Sequence, residues 1–136
     1  MKFHYVRIQG KELVENTMQG KGVFSICMQM LKDDVMDEED TDLYKEIDDW
    51  FAHELPWPEP CKRQEKVVCW FKTETDTMMK MMQPVMWLLE RYNHPYDVVY
   101  TNHPGEIVYE DQYQVCCKTD GKLIIEPVPE SWSPDE

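Results

Sequence analysis

A chain of 136 residues, 42% of them apolar, is long enough for one domain that buries roughly two thirds of the surface its unfolded form exposes, so no disulfide or metal is needed to hold it. Fourteen basic residues against 27 acidic ones give a net charge of −13, and the small basic group Lys62-Arg63 with Lys66 falls short of the clustered cations that direct nucleic-acid binding needs. Met1-Lys2-Phe3-His4-Tyr5 lacks the apolar centre of a signal peptide, and no apolar run approaches the ~20 residues of a membrane span, so a cytoplasmic protein is expected.

In chain order, Lys2 to Ile8 alternates as a half-buried strand does, and Gln9-Gly10-Lys11 marks its end; a short return strand through Leu13 and Val14 is a possible continuation. Gly20-Lys21-Gly22 reads as a turn before a helix that starts at Val23 and continues to Met36. It lacks the glycine and Lys-Ser/Thr spacing of a phosphate-binding loop.

An acid run follows. Ten carboxylates and one lysine between Asp33 and Asp49 carry −9 of the chain's −13. The alternating ligands, central glycine and closing glutamate of a calcium loop are missing around Asp37-Glu38-Glu39-Asp40. The pattern predicts instead a helix capped by Asp40 or Thr41, with Leu43, Ile47, Trp50, Phe51 and Leu55 as its apolar stripe and Asp42, Glu46, Asp49 and His53 facing outward. Two readings of the acids stand side by side. One is solubility alone; the other is a charge row that approximates a nucleic-acid backbone and fits a basic groove on another protein.

Leu55-Pro56-Trp57-Pro58-Glu59-Pro60 is a stiff connector, either a polyproline recognition segment or a path that packs Trp57 on the body. Val67 to Phe71, five large residues in a row, reads as a strand buried on both faces. Thr73 and Asp76 have capping-box spacing, which predicts a helix start there. Met78, Met81, Met82, Val85, Met86, Leu88, Leu89 and Tyr92 continue it at helical spacing, with a kink at Pro84 and an end at Asn93-His94-Pro95. Tyr96 to Tyr100 is extended, and a hairpin pairs Glu106 to Tyr109 with Tyr113 to Cys117. A further edge strand is expected at Lys122 to Glu126, then a mobile acidic tail over residues 127–136.

Trp70-Phe71-Lys72, the run from Pro104 to Asp111 and Tyr113-Gln114-Val115, preceded by Leu55-Pro56-Trp57-Pro58, resemble a family of short bacterial proteins without an assigned activity. The resemblance implies that Leu55 to Lys118 is one folding unit; it implies no chemistry.

Five cysteines with no CxxC pair read as reduced thiols, Cys27 and Cys69 as small buried hydrophobes, and Cys116 and Cys117 as neighbours on opposite faces of a strand. Four scattered histidines leave no metal site, and no cofactor is expected. The best catalytic grouping, Glu106, Glu110, Asp111 and Lys118, is a poor match to a metal-dependent nuclease because the turn accounts for Glu110 and Asp111 and the lysine lies seven residues past Asp111 on the far strand.

The resulting expectation is an α+β domain over residues 1–126: a small, mostly antiparallel sheet with two or three helices packed on one face. Its expected role is non-enzymatic binding of a protein with a basic surface through Asp37, Glu38, Glu39, Asp42, Glu46, Asp49 and Trp57, in one form as a mobile-element inhibitor that fills a nucleic-acid-binding groove. A metal-dependent hydrolase using the hairpin acids is the alternative. A homodimer would be favoured if Met79 and Met82 lay outside the buried stripe.

Overall fold

The structure, a computed structural model, describes residues 3–13, 20–55 and 67–118, with the side chains of residues 12, 13, 20 and 21 left aside. Val14, the connector with Trp57, the Lys62-Arg63 and Lys66 group, the Lys122 strand and the acidic tail lie outside the described residues.

Strand β1 (Tyr5–Leu13) is the hub of a six-stranded sheet. It pairs with β2 (Gly20–Gly22) at Gln9 and Leu13, with β3 (Val67–Lys72) at Tyr5 and Val6, and with β4 (Tyr96–Thr101) from Tyr5 to Gly10. Strand β3 then pairs with β6 (Gln114–Lys118), and β6 with β5 (Glu106–Glu110). Every one of these pairings is antiparallel, so the architecture is the expected α+β one. Two local readings need correction. Gln9-Gly10-Lys11 does not end β1, because ladders to β2 and β4 on either side hold it extended despite glycine's weak strand preference. For the same reason Gly20 to Gly22 is a strand and not a turn.

Three helices, α1 (Val23–Lys32), α2 (Glu38–Glu54) and α3 (Thr77–Arg91), share one core with Ile8 of β1, and Phe71 of β3 packs against it. Helix α1 stops at Lys32, four residues before the expected Met36, and Asp34 turns the chain with φ 55°. Met36 is nevertheless buried. Strand β3 is not buried evenly on both faces. Its side chains alternate, so Phe71 meets the helices while Val68 and Trp70 form a second cluster with Val115 and Cys117.

Helix α3 begins at Thr77, not at Thr73. The Thr73 hydroxyl donates to the Phe3 carbonyl at 2.6 Å, and the Thr73 N–H to the His4 carbonyl at 3.0 Å, so this threonine ties the start of β1 to the end of β3 and is not a helix cap. The helix runs through Pro84, whose ring nitrogen has no hydrogen for the Lys80 carbonyl. It ends where expected, with Asn93 at φ 61° and the His94 N–H bonded to the Leu89 carbonyl. Met78 and Met82 are buried and Met79, Met81 and Met86 pack partly on the core, so the methionine stripe is interior and the condition for a Met-lined dimer surface is not met.

Gly105 opens the β5–β6 hairpin at φ +108°, where a Cβ would lie 2.5 Å from the Lys118 carbonyl oxygen. Both the angle and the contact require glycine. Gly105→Ala is expected to lower stability by at least about 1–3 kcal/mol, read as a fall in the urea midpoint with an unchanged m-value.

Candidate functional site

Helix α2 starts at Glu38, and its cap is Asp37, three residues before Asp40: the Asp37 carboxylate accepts the Asp40 N–H at 2.8 Å. Glu38, Glu39 and Asp40 then occupy the first turn, where the helix dipole favours negative charge. Neither Asp40 nor Thr41 is the cap that the sequence suggests. Asp40 is 5% exposed, and it falls on the buried stripe with Tyr44, Ile47 and Phe51 at i, i+4, i+7 and i+11.

That buried carboxylate is met from the end of α3. The Tyr92 hydroxyl donates to Asp40 Oδ2 at 2.5 Å, and Arg91 Nε lies 2.8 Å from the same oxygen. A second Arg91 nitrogen reaches Asp37 Oδ2 at 3.3 Å, while the Asp37 N–H donates to the Tyr92 oxygen at 3.1 Å. Arg91 also sits over the ring of the half-exposed Trp87, 5.4 Å from its centroid. The acceptance of the Asp40 N–H, with Arg91 alongside, holds the Asp37 carboxyl below the usual carboxylate range. Hydrogen bonding to Tyr92 and the charge of Asp40 raise the pKa of Arg91. The start of α2 is therefore fastened to the end of α3 by charges that complement both helix dipoles.

From this anchor the remaining acids project away from the core. Glu38, Glu39, Asp42, Glu46 and Asp49 are all exposed, and among the described residues none of them forms an ion pair. At 1.5 Å of rise per residue they span about 16 Å of helix axis, a mean of about 4 Å between successive carboxylates. A single DNA strand carries one charge per about 3.4 Å. Lys45, also exposed, lies three residues from Asp42 and four from Asp49 on the same helix, and Asp48 turns toward a cleft beside the sheet. Of the expected contact residues, five share this face; Asp37 is instead committed to the cap, and Trp57 lies outside the described residues.

The hairpin acids are spoken for differently. Glu110 pairs with Lys72 at 2.5 Å. Asp111 closes the turn: Oδ1 accepts the Tyr113 and Gln114 N–H groups, and Oδ2 accepts the Tyr109 hydroxyl and the Gln114 amide. Burial opposes its ionisation, but these donors outweigh it and keep its pKa low. Glu106 stands opposite Lys118 in the ladder. Among the described residues no group of three or more His, Cys, Asp or Glu side chains is placed to hold a metal.

A cleft of about 580 Å³ opens where β2 and β3 part on the same strand, β1. Phe24, Phe51, Leu55 and Phe71 make its apolar lining, and Arg7, Asp48, Cys69 and Gln114 its polar points. Arg7 donates to Gln9 Oε1 at 3.2 Å and to the Cys69 carbonyl at 3.5 Å. No helix among the described residues is long and apolar enough to cross a membrane.

Two outcomes test the anchor. Tyr92→Phe removes a hydrogen bond to a buried carboxylate and is expected to cost about 1.5–3 kcal/mol in chemical denaturation. Because the folded pKa of Asp37 lies below its unfolded value, its contribution is present above the unfolded pKa and lost as pH falls through the folded one. Stability should therefore drop below about pH 4, and Asp37→Asn should flatten that part of the profile while lowering the plateau at neutral pH.

Comparison of the chain with protein-family models, with curated proteins and with solved structures finds no match.

Proposed function

We propose that the protein is a non-enzymatic binding module whose contact surface is the acidic face of α2, and that its partner is a protein with a basic groove. The observation that carries this reading is the row Glu38, Glu39, Asp42, Glu46 and Asp49: five exposed carboxylates without a cationic partner among the described residues, on a helix whose start is fixed in place. A row held on a rigid helix meets a partner without first being ordered, which lowers the entropic cost of association. Its charge spacing suits a site that otherwise takes a nucleic-acid backbone, so one specific form is a mobile-element inhibitor that competes for such a site.

The metal-dependent hydrolase reading draws less support. Asp111 spends both oxygens on four donors, and Glu110 is held by Lys72.

The combined change Asp42→Asn, Glu46→Gln, Asp49→Asn tests the proposal. These side chains are exposed, so stability should shift by no more than about 0.5 kcal/mol per site. The expected result is that the partner captured from the source cells at low salt is lost in the variant. In the native protein the same partner should weaken at moderate salt, where the screening length is about 8–10 Å. Full retention of the partner by the variant would sink the proposal.

A further inference from the structure

We infer that Cys69 and Cys116 form a reversible disulfide across β3 and β6, with Cys69 as the attacking thiol and Cys116 as the resolving one. The two residues are direct partners in the antiparallel ladder, so their side chains leave the same face of the sheet. The phase of the ladder follows from one hydrogen bond. The Lys72 N–H donates to the Tyr113 carbonyl at 2.8 Å, which makes that pair a hydrogen-bonded one. Counting inward, Phe71 and Gln114 are a non-hydrogen-bonded pair, Trp70 and Val115 a bonded pair, and Cys69 and Cys116 again a non-hydrogen-bonded pair.

In such pairs the Cα atoms approach to about 4.5 Å with the side chains at their closest. Disulfides usually span Cα separations of about 4.4–6.8 Å. Any other spacing along these strands would lack this match: Cys117 lies one residue on, opposite Val68, with its side chain on the other face.

The environments of the two thiols divide the roles. Cys69 is partly exposed and lines the cleft beside Arg7, whereas Cys116 is fully buried with its sulfur 3.9 Å from Gln114 Oε1. The Arg7 guanidinium reaches the Cys69 carbonyl at 3.5 Å, which places a cation beside this residue in the cleft. Cys27 offers a contrast within the same chain. Burial pushes its thiol up to about 12, and it sits among the core residues of α1.

The oxidant is a small-molecule disulfide that enters the cleft. Cys69 gives up its proton, and its thiolate attacks one sulfur of the small disulfide; a mixed disulfide forms, the small S–S bond breaks and one small thiolate leaves. The deprotonated Cys116 sulfur then attacks Cys69, forming the cross-strand bond and expelling the second small thiolate. The two protein protons end on the two small thiols, and the two electrons lost by the cysteines are the two gained by the small disulfide.

The test is to equilibrate the folded, full-length chain with glutathione over a series of oxidised-to-reduced ratios, quench with acid, alkylate the remaining thiols and map peptides without reduction. The expected result is a Cys69–Cys116 cross-linked pair, lighter than the two thiol peptides by two hydrogens, that grows with the oxidised fraction and vanishes with dithiothreitol. Cys116→Ala should instead trap glutathione on Cys69, with Cys27 unmodified. Should that variant fail to fold, the native chain decides the matter. Cys69 and Cys116 both remaining thiols at the most oxidising ratio, or either one joined to a different cysteine, would overturn the inference.

Discussion

A carboxylate withdrawn from water governs how the acidic helix is seated. Asp40 lies on the apolar side of α2, where an unpaired charge would be strongly destabilising, and the structure answers with Arg91 and Tyr92 on one of its oxygens. Both partners come from the final turn of α3 and the residue after it, so the pairing is possible only when the start of α2 and the end of α3 meet. Asp37 reinforces the same junction by capping α2 and accepting from Arg91. Together with the packing of Tyr44, Ile47 and Phe51 on the core, this contact sets where the acidic face points.

With Asp40 turned inward, five of the other acids share one direction. The buried stripe of α2 faces the core built by α1, α3 and the sheet, and Glu38, Glu39, Asp42, Glu46 and Asp49 follow the opposite side of the same helix. A charge run that composition alone presents as diffuse thus becomes a row of defined spacing on a fixed support. The proposed binding role requires such a row, because charge geometry and not charge count alone selects a partner.

Much of this was legible in local pattern. The strand at Val67, the helix ending before Pro95, the hairpin after Gly105 and the apolar stripe of α2 were all expressed in runs of a few residues whose periods differ. What escaped depends on partners distant in sequence. Thr73 and Asp76 carry a capping-box spacing, yet the Thr73 hydroxyl is claimed by Phe3, 70 positions away, and α3 starts later. Gly20 to Gly22 is extended only because β1 offers it a ladder. The acid run offers Asp40 and Thr41 as caps, whereas the spacing of Asp40 to Tyr44, Ile47 and Phe51 puts it on the inner stripe; the Arg91 and Tyr92 that pair with it there lie far outside any local window.

In the proposed function the acidic row substitutes for a nucleic-acid backbone in a partner's groove. The most direct measurement is competition: the complex of this chain with its partner, formed at low salt, is titrated with double-stranded nucleic acid while the released chain is followed. If the row occupies that groove, release should rise with added nucleic acid until the chain is fully displaced. A ternary complex that keeps the chain bound at saturating nucleic acid would contradict the claim and place the contact elsewhere.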